Sequence, residues 1–233
     1  MSPVQTSSSS SSATSSSKTN TFTPDDEPAV YKYDLEVIQE RDIASPIHPI
    51  IAARRSTRAM IGGDIDDAVL RSIFEASRWC PSYFNSQPWR FVYSKRGDAH
   101  WAAYVDAMNE KNRAWGQDAA VLVVALSKRT VVKPSPVGEI TSPMHSFDAG
   151  AAWMAMALEA TARGLVVHAL YGIDFEKTAA AIGLADGRED ARYKIECMIV
   201  IGHRGVRADG RPEPCTPRHP VEHFVSAGRF DPK

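Results

Sequence analysis

The chain is poor in cysteine. Only Cys80, Cys197 and Cys215 occur among its 233 residues, odd in number and far apart. That is unsuited to a disulfide framework or a cysteine-based zinc site and fits a reducing compartment, so a cytoplasmic location is expected. No charge of one sign predominates. Lys plus Arg number 27 against 28 for Asp plus Glu, so no global field points to nucleic acid or to an anionic membrane. The uncharged apolar runs fall far short of the roughly 20 residues that span a bilayer, and a soluble protein is expected. No strand is followed by a G-x-G-x-x-G or G-x-x-x-x-G-K-[ST] loop, and there is no G-x-S-x-G elbow. Rossmann, P-loop and serine-hydrolase readings therefore lose their support.

What the chain does contain is enough apolar material for a core: 43% of its residues are hydrophobic. The first 28 residues are different. Ser7 to Ser12 is a homopolymeric run, followed by more Ser and Thr with almost nothing to bury. Such a segment cannot offset its ordering entropy, and residues 1–28 are expected to be a disordered tail before a single domain over 29–233. The tail lacks the apolar core of a secretory signal, and with Lys18 its only basic residue it makes a poor transit peptide.

Within the domain, the apolar spacing from Asp64 to Trp79 (Ile65, Val69, Leu70, Ile73, Phe74) predicts an amphipathic helix with Asp64 and Asp66 at its start. A strand is expected over Arg90 to Ser94, mixed helix over Ala99 to Gln117, and a buried strand over Ala119 to Leu126. The prolines of Thr130 to Pro143 read as a mobile loop. Phe147 to Arg163 forms a long helix, apolar on more than one face and so buried between layers or between subunits. Gly164 stops it, a strand runs from Leu165 to Ala169, Asp174 caps a helix reaching Ile182, and Ile195 to Ile201 is the last core strand. The mixed order of elements predicts an α+β fold.

Two stretches carry candidate chemistry. Arg54, Arg55, Ser56, Thr57 and Arg58 place three guanidinium groups and two hydroxyls together. This is either a phosphate site or a solvated basic face. The run from Cys80 to Phe91 sets Pro81, Ser82, Asn85 and Gln87 beside Tyr83, Phe84, Trp89 and Phe91. It either presents polar groups and rings to a planar ligand or simply anchors the following strand. His219 and His223 have metal-ligand spacing but no evident third ligand, and no metal is expected.

In order, the R-R-S-x-R segment, the amphipathic helix and P-S-x-x-N-x-Q-P-W resemble the FMN-dependent nitroreductase family. Three later tracts are also similar to it: Asp148-Ala149-Gly150-Ala151-Ala152 to its D-x-G-x-A helix start, Tyr171-Gly172-Ile173-Asp174 to its x-G-F-D turn, and Gly202-His203 with Pro217-Arg218-His219-Pro220 to its C-terminal segment. The resemblance covers roughly Ser45 to Phe224 and implies a mostly antiparallel central sheet flanked by helices in an intertwined homodimer. It implies that Arg54, Arg55, Ser56 and Arg58 hold the FMN phosphate and ribityl chain, with Arg218 closing over the phosphate. Asn112 would bond the polar edge of the flavin, and the Tyr171–Gly172 turn would offer a backbone N–H near its N5. Pro81, Ser82, Tyr83, Phe84 and Asn85 would come from the partner subunit, with Gln87 a weaker contact. Trp115 and Thr216 depart from the family, which often has basic residues there.

The implied activity passes hydride from NADH or NADPH through FMN to a nitroaromatic, quinone or similar small electron acceptor. Such chemistry resides in the cofactor, so no catalytic acid or base need be visible. The alternatives are a flavin-binding protein for storage or sensing, or a dehalogenase or flavin-fragmenting enzyme of the same fold.

Overall fold

A computed structural model describes residues 38–184, 192–211 and 213–230. The serine-rich tail lies outside the described residues. Pro49 opens the short helix α1 (Pro49–Ala53), where a missing N–H leaves no intrahelical bond unmade, and Arg54 leaves it in extended conformation. After strand β1 (Met60–Ile61), helix α2 (Asp67–Arg78) begins at Asp66, whose carboxylate accepts Ala68 N at 2.7 Å. The helix starts later than its charge pattern predicts because Asp64 instead pairs with Lys95 at 2.8 Å. Strand β2 (Trp89–Lys95) follows, then α3 (Trp101–Ala107) and α4 (Glu110–Gly116), split where Met108 turns extended and Asn109 caps α4.

Strand β3 (Val121–Lys128) is buried along almost its whole length. Next come β4 (Thr130–Lys133) and β5 (Gly138–Thr141), an antiparallel hairpin where the prolines predicted a loop. Pro134 and Pro136 are confined to its tip, so the β-branched residues Thr130 to Val132 remain free to pair. Helix α5 (His145–Ala162) ends where Gly164 takes φ +74. Strand β6 (Leu165–Leu170), helix α6 (Phe175–Ala181), capped by Asp174 onto Lys177 N at 3.0 Å, and strand β7 (Tyr193–Arg204) complete the elements of the core.

β7 is the hub. It pairs antiparallel with β1, β3 and β6, and β3 pairs antiparallel with β2, giving a five-stranded sheet as the α+β expectation requires. Alternate residues of β3 feed two cores. Val121, Val123 and Ala125 pack with Leu70, Ile73 and Met156 of α2 and α5. Leu122, Val124 and Leu126 pack with Tyr104, Met108 and Leu170 on the other face. With helices on both faces, the strand sequence becomes a continuous apolar run.

A polar cluster interrupts this core where β3, β7 and the first turn of α5 meet. Ser127 and Ser146 donate to one oxygen of Glu196 at 2.5 and 2.7 Å, Lys194 donates to the other at 2.9 Å, and His145 Nδ1 lies 2.8 Å from Ser127 Oγ. Burial opposes ionisation of Glu196, but donation from Ser127, Lys194 and Ser146 outweighs it and holds the carboxyl below its ordinary 4.5. A depressed carboxyl contributes stability above its unfolded value, and that contribution is lost as pH falls through the folded value. Glu196→Ala is therefore expected to destabilise by about 1–3 kcal/mol at pH 7, with the difference from wild type shrinking below the ordinary carboxylate range. Urea denaturation at pH 7 and at a pH below the ordinary carboxylate range checks this; a pH-independent difference would assign the effect to packing.

Candidate functional site

The segment leaving α1 gathers cations. Arg54 is half-buried; its Nη1 donates to Ser56 Oγ at 3.2 Å, and its carbonyl accepts from Arg41 Nη2 at 2.8 Å. Burial, then Arg41 and Arg218 nearby, lowers the Arg54 pKa. The fold thus brings Arg218, over 160 residues away in sequence, to the segment that opens the arginine cluster. Arg41 Nε and Arg55 Nη1 are buried and make no hydrogen bond among the described residues. Repelling guanidinium groups with unused donors are what an anionic group such as a phosphate would satisfy.

The rest of the cluster is held by a residue for which the sequence offered no signal. Glu213 reaches back so that its Oε2 accepts from Thr57 Oγ1 at 2.7 Å, Arg58 N at 2.5 Å and Ala59 N at 3.3 Å, while its carbonyl accepts from Arg55 Nη2. Burial raises its pKa, but the donors at Arg58, Thr57 and Ala59 prevail and keep it ionised at neutral pH. Glu213 therefore ties down the C-terminal segment that carries Arg218. Arg55 faces this tie, whereas Arg54, Ser56 and Arg58 remain available to a ligand.

From the cluster the site continues along β6. His168 Nδ1 lies 3.2 Å from Thr57 O; a carbonyl only accepts, so Nδ1 carries the hydrogen. Burial lowers its pKa, leaving the ring neutral, and its face packs against Trp115 of α4 with centroids 4.7 Å apart. Asn112, one turn before Trp115, donates through Nδ2 to Gly172 O at 3.1 Å. Asn109 N donates to the same carbonyl at 3.0 Å. A Cβ at Gly172 would collide with the side-chain amides of both asparagines. Gly172 is thus glycine because the α3–α4 connection approaches it closely. Tyr171 beside it is 71% exposed. A chain of contacts, Thr57 to His168, His168 to Trp115 and Asn112 to Gly172, thus leads from the arginine segment towards the Gly172 turn.

Pro81, Ser82, Tyr83, Phe84, Asn85 and Gln87 lie elsewhere on the chain. Tyr83 N donates to Asp148 Oδ2 at 3.0 Å, and Gln87 N to Ser82 Oγ at 2.9 Å. Phe84, Asn85 and Gln87 all have positive φ (51, 49 and 46), a concentration of left-handed backbone that marks a loop shaped for something other than stability. Among the described residues, no hydrogen bond, ion pair or ring contact joins this loop to the arginine cluster. Asp148, part of the D-x-G-x-A tract, is thus the loop's anchor. Cys80 before it donates Sγ to Ala151 O at 3.3 Å, and burial pushes its thiol up, as suits an inert cysteine. His219 and His223 stack at 4.4 Å, and among the described residues no group of three or more His, Cys, Asp or Glu could hold a metal ion.

Residues 51–203 match the model of the Nitroreductase family. A solved oxidoreductase containing FMN superposes with a TM-score of 0.73 at 31% identity, over 83% of this chain and 97% of its own. A nitroreductase family protein from Streptococcus pneumoniae shares the fold at a TM-score of 0.59 and 20% identity, over 74% and 95% of the two chains. By sequence, an uncharacterized 15.4 kDa protein in the ask 5' region of Mycolicibacterium smegmatis is 27% identical over 123 residues, 50% of this chain and 76% of its own.

Proposed function

The chain belongs to the nitroreductase family of oxidoreductases, and we propose from that premise that it binds FMN and passes hydride from NADH or NADPH to a small nitroaromatic or quinone acceptor. The observation that carries this reading is the gathering of Arg54, Arg58 and Arg218, with the Thr57–His168–Trp115 contacts leading from that segment towards Asn112 and the Gly172 turn. Arg54, Ser56, Arg58 and Arg218 would hold the phosphate end. Asn112 would fix the turn, and the Gly172 N–H, which makes no hydrogen bond among the described residues, would face the reactive edge. Bound FMN supplies two-electron chemistry, so the chain itself need only bind, orient and exclude water.

A homodimer belongs to the same reading. On α5, Ala152, Met156 and Ala160 face the core, while Phe147 is 73% exposed and Met154 also reaches the surface. Ile51 of α1 and Trp79 at the end of α2, both exposed, add to the apolar surface that the helices around α5 present. Exposed large apolar side chains on adjoining helices are what a partner subunit would cover. A second copy would bring its own Tyr83–Asn85 loop to the arginine surface. Among the described residues no helix is long and apolar enough to cross a membrane. Cys80, Cys197 and Cys215 form no disulfide, which supports a reducing compartment such as the cytoplasm.

Purified protein is expected to be yellow, and an anaerobic titration with NADH or NADPH should bleach the flavin band, with nitroaromatic or quinone restoring it. A protein that carries FMN yet is bleached by neither nicotinamide would instead be a flavin-binding protein without this turnover. Sedimentation should report twice the 25.5 kDa chain mass.

A further inference from the structure

The β4–β5 hairpin forms a two-stranded sheet separate from the main one, and it carries an unusual cation. Lys133 Nζ sits 5.0 Å from the ring centroid of Phe84 and 5.4 Å from that of Tyr83, and those rings meet edge to face at 4.7 Å. The side chain is half-buried. Its nearest acidic neighbours along the chain and loop are already engaged: Glu139 accepts from Thr130 Oγ1 at 2.7 Å and pairs with Lys128 at 3.5 Å, and Asp148 accepts from Tyr83 N. Among the described residues Lys133 makes no ion pair. An ammonium held by ring faces alone retains its demand for an anion.

The rings themselves are presented rather than packed away. Phe84 is 55% exposed at a backbone φ of 51, a conformation that bulky residues rarely adopt, and the loop is pinned from behind by Asp148. An apolar ring face and an unneutralised cation are therefore fixed within about one aromatic ring's length of each other.

The geometry points to Lys133, with Tyr83 and Phe84, as a recognition site for an aromatic acceptor bearing a carboxylate. The acceptor ring lies along Phe84, and its carboxylate takes the ammonium. This rests on the proposal that the Tyr83–Asn85 loop lines the acceptor side of the flavin, and it narrows the acceptor class from neutral nitroaromatics and quinones to anionic ones.

Isothermal titration of the protein as purified with 4-nitrobenzoate and 4-nitrobenzamide, which share a ring and differ in charge, tests it. Wild type should bind the carboxylate roughly fivefold or more tightly than the amide, the scale of a partly exposed charge pair. Lys133→Met keeps the apolar stem over the rings and should abolish the preference, with the amide affinity within about twofold of wild type. Lys133→Glu should reverse the preference. Equal affinities in wild type, a preference that survives Lys133→Met, or no binding of either ligand would each overturn the site. So would a Lys133→Met variant that loses affinity for NADPH but not for 4-nitrobenzoate, which would assign the ammonium to the nicotinamide phosphate. A carboxylate preference without any turnover would uphold the site and count against the oxidoreductase reading.

Discussion

Replacing Arg54 and Arg58 together by alanine is expected to turn a yellow protein colourless, with FMN affinity lower by roughly a hundredfold or more. Two charge-assisted hydrogen bonds to a phosphate contribute about 1.5–3 kcal/mol each, so their joint loss should exceed about 3 kcal/mol. A folding defect should not mimic this result. Burial and the neighbouring Arg41 and Arg218 already disfavour the Arg54 charge, so its removal relieves repulsion in the absence of flavin. The bond from Arg41 goes to the Arg54 carbonyl, which alanine retains. The Glu213 tie uses the Arg58 backbone N–H, which survives as well. Thermal unfolding of the flavin-free variant should therefore match that of flavin-free wild type while the FMN dissociation constant rises. Unchanged affinity in the double variant would refute the phosphate assignment.

The same region shows what one sequence can reveal. Elements encoded by local pattern were legible: the apolar run that became β3, the glycine that ends α5 at positive φ, and the aspartate that caps α6. The guanidinium cluster was legible as a composition, because an R-R-S-x-R run is compact in the chain. Its division of labour was not. Glu213 meets Arg58 across 155 residues and His168 meets Thr57 across 111, and no periodicity encodes a contact of that separation. The Thr130–Pro143 stretch failed for another reason. Proline is both a loop former and a hairpin-tip residue, and only the register of Thr130 against Thr141 distinguishes the two. Lys133 became visible as a candidate only once that hairpin had been closed over Tyr83 and Phe84.

The Gly172→Ala variant should be the most damaging single-methyl change in the site. Gly172 is clasped from three directions: its carbonyl accepts from Asn109 N and Asn112 Nδ2, Ile173 bridges to Met108, and Asp174 N donates to Ala107 O at 2.8 Å. The added Cβ falls onto the amide nitrogens of Asn109 and Asn112. Neither side chain is free to swing away. Asn109 Oδ1 caps α4 by accepting Asn112 N at 2.9 Å, and Asn112 is itself bonded to the turn. Overpacking of this kind costs about 1–3 kcal/mol, and loss of the cap adds about 1 kcal/mol. For a domain of this size each kcal/mol corresponds to about 2–4 °C, so the melting temperature should fall by roughly 4–16 °C. Displacing the turn also moves the Gly172 N–H from the reactive edge of the flavin, so hydride transfer should slow at least tenfold, an orientation effect on the scale of about 1.4 kcal/mol. Asn109→Gly combined with Gly172→Ala removes one of the two clashing amides while sacrificing the cap; it should recover part of the hydride-transfer rate but little of the stability. Stopped-flow reduction by the nicotinamide, with thermal melts of wild type and both variants, separates the two effects. A Gly172→Ala protein with wild-type melting and reduction rates would show that the turn relaxes freely and that the close approach of α4 has no bearing on the site.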